Sequence, residues 1–496
     1  MGKSKLPRYD HVDVLIIGAG ISGIGAAYHL QAHAPHQTYS IIEARESLGG
    51  TWDLFRYPGI RSDSDMYTFG YKFKPWVYDE AISPGHYILD YLHEASAEND
   101  IDRHIIFSSK VTRADWSSKK AQWTIGINDT QTGEKRTMTC RFVFSCGGYF
   151  NYEKGYSPKF ADQESFSGDV IHPQHWPQDY DYIDKKIVVV GSGATAVTLV
   201  PALAERARHV TMLQRSPTYI VTRPAKDPLA TFVQRWLPTR TGYFIVRWRN
   251  ILGGMFTYSL SKRFPNIVKR AILKKIKEQL SSDFDVKTHF TPSYNPWDQR
   301  ICLVPDGDLF KAIDQGKATV VTDRISRFTT DGLLLESGTQ LEADTVVTAT
   351  GLNAEVFSGI RFEVDGNVVD PSRTYCYKGM MLSGMPNLAF SVGYTNASWT
   401  LKSDLIGEYV CRLINHMEDN AFDYCVPKVP PEGLDEEPLL DFTSGYVLRV
   451  SDKIPKQGSR APWKLHQNYI LDRIHLGHGS VEDDAIQFVR IERTEA

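Results

Sequence analysis

An α/β protein with two dinucleotide-binding, Rossmann-like domains, the second carrying a helical insertion, is what this sequence predicts. Three observations point there. Two glycine-rich loops, Gly18-Ala19-Gly20-Ile21-Ser22-Gly23 and Gly191-Ser192-Gly193-Ala194-Thr195-Ala196, each follow an apolar run and open a helical pattern. The next β-run ends on an acid in the first unit and on an arginine in the second. From about Lys226 to Phe290 the chain turns to long apolar and basic residues at helical spacing.

In chain order, Val12 to Ile17 reads as a buried parallel strand. Gly18 permits the tight turn, Gly20 lets a pyrophosphate approach the backbone, and Gly23 lets helix and strand pack closely. Ser22 counts with them as a nucleotide contact. The run Tyr39 to Ile42 ends on Glu43, 20 residues past Gly23. A carboxylate there accepts hydrogen bonds from a ribose diol and repels a 2′-phosphate, so the first site suits FAD or NAD and not NADP. The run Gly49-Gly50-Thr51-Trp52 resembles the second FAD contact of two-dinucleotide flavoproteins, so Gly50, Thr51 and Trp52 are expected cofactor contacts, and Val111 counts with them.

The aromatic stripe Tyr67, Phe69, Tyr71, Phe73 and Trp76 reads first as core, with the lining of a substrate cavity as the alternative. From Ile101 to Gly148 the pattern is β-like, with turn residues at Asn128 to Lys135 and a closing strand at Phe142 to Gly148 that ends in small residues. Tyr149 to Pro158 reads as a linker.

The second unit repeats the strand, loop and helix, with Gly191, Gly193, Ala194, Thr195 and Ala196 in the fingerprint. Its second strand ends Gln214-Arg215-Ser216. A guanidinium grips a 2′-phosphate bidentately, and losing the carboxylate removes the repulsion, so Arg215 and Ser216 select NADPH. The basic insertion reads first as a solvated helix face, with weak contact to a membrane surface as the alternative.

Composition excludes several classes. With 496 residues, 42% hydrophobic content and a net charge of −3, the chain has no basic footprint for nucleic acid. No apolar run approaches the roughly 20 residues that span a bilayer. The start, Met1 to Pro7, lacks a secretory h-region, and Leu6 stands where a myristoylation site needs Ser or Thr. Six scattered cysteines form no Cys-x-x-Cys pair, which suits a soluble, cytoplasmic protein. His172 and His175 are separated by Pro173 and have no acidic or cysteine ligand spaced nearby, so no metal is expected.

Between the two units lies Phe166-x-Gly168-x-x-x-His172-x-x-x-Trp176-Pro177. This pattern resembles the signature of flavin-dependent Baeyer–Villiger monooxygenases, within the wider flavin-containing monooxygenase group. The runs Thr51 to Gly59 and Tyr394 to Lys402 are most similar to the ethionamide-activating type.

The resemblance implies FAD in the first site and NADPH in the second. It implies an FAD domain over 1–150, a linker over 151–165 and an NADP domain over 166–225. A helical insertion over 226–290 and the rest of the NADP domain over 291–343 follow, then FAD domain and tail over 344–496. It makes the signature a hinge that couples NADP binding to events at the flavin, with Arg300 over the ring and Asp63 orienting Arg300. The implied reaction is reduction of FAD by NADPH, addition of O₂ to give a flavin C4a-peroxide, and attack on a ketone to yield an ester or lactone. Sulfoxidation is an expected side activity. Gln299 stands where many relatives have Lys, which weakens the expected preference for NADPH over NADH.

An S- or N-oxidising flavin monooxygenase is the nearest rival. A disulfide reductase would need a redox Cys pair that this chain lacks, and a non-catalytic flavin sensor would waste two intact sites. The particular ketone or thioether, the role of the tail and the oligomeric state stay open.

Overall fold

The computed structural model describes residues 10–429, 434–439 and 445–492. The reading of Met1 to Pro7, and part of the tail, lie outside the described residues.

β1 (His11–Ile17) feeds through the first glycine loop into α1 (Ile21–His33) and then β2 (Tyr39–Ile42), which lies parallel to β1 with Ile16 opposite Ile41. No element was expected between Trp76 and Ile101. The structure has α2 (Gly85–Ala97) there, burying Ile88, Tyr91, Leu92 and Ala95 at helical spacing. An antiparallel meander follows, β3 (Ser109–Ser117), β4 (Gln122–Asp129) and β5 (Lys135–Ser145). β5 starts seven residues earlier than Phe142. Its first half alternates in burial along the meander, and its last four residues are buried beside β1 with Phe144 opposite Ile16. A strand buried on both faces reads as a solid apolar run, so only that half stood out in sequence.

The second unit is a five-stranded parallel sheet. It contains β6 (Asp169–Ile171), β7 (Lys186–Val190), α3 (Ala194–Leu203) and β8 (His209–Gln214). Next, β9 (Ile220–Arg223) leads into helices α4 (Pro228–Trp236), α5 (Thr239–Arg263) and α6 (Pro265–Lys277). β10 (Cys302–Pro305) returns parallel to β9, so this pair brackets the insertion. With β11 (Ala318–Thr322) and β12 (Thr345–Val347), the sheet order is β11-β8-β7-β12-β6.

Two expectations change here. Residue 344 does not hand the chain back to the first unit, because β12 is fully buried between β7 and β6 as a central strand of the second sheet. The signature stretch, expected as a hinge at the start of the second unit, is partly strand: Asp169–Ile171 is the edge strand β6 of its sheet.

The insertion, although it interrupts the second unit in sequence, packs on the first. The buried Arg247 of α5 donates to the carbonyls of Tyr67 (2.8 Å) and Gly70 (2.7 Å), and the Tyr243 hydroxyl donates to Tyr71 O (3.0 Å). Those carbonyls belong to no sheet and need donors, which α5 supplies. Beyond Gly351 the chain returns to the first sheet through β13 (Leu388–Phe390), which pairs with β5, and α7 (Trp399–Asp419), which packs on α1. The two crossings between units run side by side: Asn151 N–H donates to Asn353 O (2.9 Å), and Tyr156 N–H to Gly351 O (3.0 Å).

Candidate active site

At the first glycine loop the backbone leaves no room for side chains. A Cβ on Gly23 would lie 1.9 Å from the Gly18 carbonyl oxygen. Gly18 has φ +99, and its own Cβ would meet Cys146 O at 2.9 Å. Gly50 (φ +56) backs onto Gly20, where a Cβ would come 3.1 Å from the Gly20 Cα. No side chain caps α1 and its first turn holds no acid, so its leading N–H groups face the loop with the positive dipole end toward an anion.

Glu43 is buried and accepts from the N–H groups of Ala19 (2.7 Å) and Arg45 (2.9 Å), and burial pushes its carboxyl above the usual range. Thr51 shares a hydrogen bond with the Tyr152 hydroxyl (3.0 Å), and Trp52 packs edge-on against Phe69. Two residues of the expected cofactor set have their side chains taken up by the protein. The Ser22 hydroxyl is buried and accepts from the Trp399 indole N–H (2.7 Å), while Val111 sits in the core with Leu15 and Ile17.

The second loop has the same build. A Cβ on Gly191 (φ +144) would lie 2.3 Å from Ala349 O, so the Ala349-Thr350-Gly351 strand end closes this turn. Gly193 faces open space, and α3 begins uncapped with no acid in its first turn. Ala196 is buried, Ala194 opens the helix, and Thr195 hydrogen-bonds the Tyr57 phenol. Ser192 donates to Ser216 O (3.1 Å), and Arg215 and Ser216 lie exposed just past β8. Both helix ends therefore fit phosphate groups.

Arg300 and Asp63 come together between the two units. The guanidinium Nη1 lies 3.4 Å from Asp63 Oδ2, with the side chains 44% and 38% exposed. β10 starts two residues after Arg300, so the β9–β10 pair sets where that arginine stands. The Asp63 loop is held by Arg61, paired with Asp308, and by Ser62 N–H donating to Ser83 O (2.8 Å). Gly59 in the same loop abuts α3, where a Cβ would meet Ala202 Cβ at 2.7 Å.

Arg300 also lines a cavity that is partly open to solvent and walled largely by apolar groups, which include Tyr149, Phe390, Tyr394 and Trp399. The tail supplies Val447, Val450 and Ile454 to that wall, a role its sequence did not signal. The stripe from Tyr67 to Trp76 goes the other way: Tyr67, Phe69, Tyr71 and Trp76 are buried in the main core and none lines the cavity.

In the signature stretch, Phe166 packs on Phe328, and a Cβ on Gly168 would lie 2.4 Å from Asp344 O. Trp176 is buried edge-on to Tyr180 just before Pro177. His172 Nε2–H donates to Gly351 O (3.2 Å), while its Nδ1 accepts from Gln174 N–H (3.2 Å). That arrangement suits a neutral ring and ties β6 to the returning crossing. His175 donates instead to Glu153 O (3.0 Å), so the two histidines face different carbonyls.

Burial lowers the His172 pKa, as it does for His33, His104, His289 and His466. A folded-state pKa below the unfolded value means the unfolded chain binds more protons, so stability is lost as pH falls below roughly 6.5. His172→Asn should therefore show a shallower fall in Tm between neutral and mildly acid pH than the parent, measured by thermal scans. The other four histidines keep the slope above zero.

Two glycine loops that each open an uncapped helix, together with an apolar cavity lined by Arg300, fit a two-nucleotide oxidoreductase. Comparison with known proteins agrees. Residues 16–79 match the NAD(P)-binding Rossmann-like domain, and residues 71–359 match the flavin-binding monooxygenase-like family. The chain is 55% identical over 482 residues, 97% of its length and 98% of the relative's, to the FAD-containing monooxygenase EthA of Mycobacterium tuberculosis (strain CDC 1551 / Oshkosh). Its fold is similar to an oxidized steroid monooxygenase bound to NADP (TM-score 0.74, 20% identity, covering 97% of this chain and 100% of that one). It is likewise similar to an open structure of cyclohexanone monooxygenase (TM-score 0.75, 18% identity, covering 96% and 99%). The chain belongs to the flavin-binding monooxygenase-like family and is a flavin-dependent monooxygenase. Within that family its relatives are of the EthA type.

Proposed function

We propose that this enzyme carries out NADPH- and O₂-dependent Baeyer–Villiger oxidation of ketones to esters or lactones, with sulfoxidation as a side activity. The observation that carries the reading is Arg300, which lines an apolar cavity and is paired with Asp63, in a chain with two phosphate-binding helix ends. FAD at the first loop supplies two-electron reduction and activation of O₂ when bound. Gly18, Gly20, Gly23 and Gly50 cradle it, and Glu43 accepts from its ribose. NADPH binds at Gly191 and Gly193, with Arg215 and Ser216 on the 2′-phosphate.

An arginine donates hydrogen bonds to an anionic oxygen without giving up a proton, so Arg300 favours the nucleophilic form of oxygen that a carbonyl needs. Asp63 holds the guanidinium in place. S- or N-oxidation draws on an electrophilic oxygen instead and gains less from that cation. The cavity's aromatic and aliphatic wall suits an apolar substrate and limits bulk water. A cytoplasmic setting is proposed on the six unpaired, buried cysteines.

Linear, cyclic and aryl ketones and thioethers, offered to the purified enzyme with NADPH, test the reading by mass spectrometry. Gain of one oxygen by ketones as esters or lactones is the expected result. Oxidation of thioethers alone, or hydrogen peroxide as the sole product with every ketone, would overturn it.

The cofactor preference has its own test. Arg215→Ala should lower kcat/KM for NADPH by about 10- to 100-fold, the worth of a charge-assisted bidentate contact, and leave the value for NADH nearly unchanged. Equal losses with both nucleotides would remove Arg215 from the phosphate site.

A further inference from the structure

Residues 228–277 hold eleven lysines and arginines and no aspartate or glutamate, in a chain whose net charge is −3. The helices they form are also apolar on two sides. α5 buries Tyr243, Val246 and Ile251 against the first unit. Phe244, Leu252 and Phe256 then fall within an arc of about 120° on the opposite face at 3.6 residues per turn, and they are 60%, 49% and 67% exposed. Next to it, α4 turns Val233 onto Gly242 of α5 and points Phe232 (62%) and Trp236 (70%) outward. A soluble helix carries charged or polar residues on its outer face, and one that is apolar all round belongs against another apolar medium. The face expected first to be simply solvated carries these exposed apolar side chains.

The basic groups sit beside this surface. Among the described residues, Arg249 is paired with Asp227, Lys262 with Asp298 and, at 4.0 Å, Lys274 with Glu278, while Arg247 is buried; Arg240, Arg263, Arg270, Lys274, Lys275 and Lys277 are exposed. Exposed aromatics on helices whose charged residues are all basic match the two phases of a lipid interface, apolar chains below and negative headgroups above. No helix is long and apolar enough to cross a membrane.

We propose that α4–α6 form a docking surface for an anionic lipid bilayer, with Phe232, Trp236, Phe244 and Phe256 entering the interface. α5 also touches the loop that carries Arg300, through Tyr258 against Trp297 and Lys262 to Trp297 O (3.4 Å). Docking therefore sets the lipid surface against the helix that flanks this loop, a placement suited to a substrate dissolved in lipid.

Flotation of the flavin-loaded full chain with vesicles tests this, whatever reaction the enzyme performs. The enzyme should float with equimolar phosphatidylglycerol–phosphatidylcholine vesicles, not with phosphatidylcholine alone, and should be released by high salt. Phe244→Ser with Phe256→Ser, and separately Lys274→Glu with Lys275→Glu, should each cut the bound fraction by at least about tenfold while Tm and flavin content stay at parental values. All four positions are exposed or solvent-facing, and the charge variant tests the proposal even if the apolar one folds poorly. Equal binding to neutral vesicles, no binding to either kind, or a bound fraction indifferent to both variants would overturn it. So would an apolar variant whose only effect, by sedimentation velocity, is to dissociate an oligomer, since that would make a second copy of the chain the occupant.

Discussion

Arg300→Ala will still pass electrons from NADPH to the flavin, and it will lose ester formation by about 10² to 10³-fold. That is the effect of removing one preorganised donor from a developing negative charge, about 3–4 kcal/mol in the barrier. The guanidinium reaches the cavity beside Asp63 at 3.4 Å, whereas the two glycine loops that hold the nucleotides contain no part of it. Binding and reduction should therefore survive, and NADPH consumption should persist with hydrogen peroxide as its outlet. Arg300→Lys should recover only part of the product, because an ammonium keeps the charge and loses the planar fork. Rapid-mixing absorbance separates the reductive half from product yield. A full ester yield from the alanine variant would end the proposed role.

Gly23→Ala should have an effect of similar size by a different route. Its Cβ would sit 1.9 Å from the Gly18 carbonyl oxygen, and Gly18 is tied to β2 by its N–H donating to Ile42 O (2.8 Å). Helix α1 must then lift off β1, displacing the N–H groups that face the phosphates. The variant should purify colourless or fail to fold, with at least about 3 kcal/mol lost. Gly193→Ala is the control: its backbone is extended (φ −80) and a Cβ there meets nothing within 4 Å. That protein should fold, stay yellow and bind NADPH poorly, since the new methyl occupies the space a phosphate would enter. Flavin absorbance and KM for NADPH distinguish the two outcomes. A yellow, fully active Gly23→Ala enzyme would contradict the packing at α1.

Sequence alone determined what short-range physics can specify. A strand, a glycine turn and a helix start need only local dihedrals, apolar period and room for a phosphate, so both loops and the residues after β2 and β8 were readable in place. β12 was assigned to the wrong unit because Asp344 to Gly351 looks the same whichever sheet it joins; its burial between β7 and β6 decides the matter. Tertiary structure alone sent Tyr67 to Trp76 into the core and Val447, Val450 and Ile454 into the cavity wall, since an aromatic or a valine packs equally well in either place. Which face of α5 finds a partner depends likewise on carbonyls more than 170 residues away, at Tyr67 to Tyr71. Period and composition cannot choose among distant partners; only the folded contacts of Arg247 and Tyr243 do, and they leave Phe244 and Phe256 facing outward.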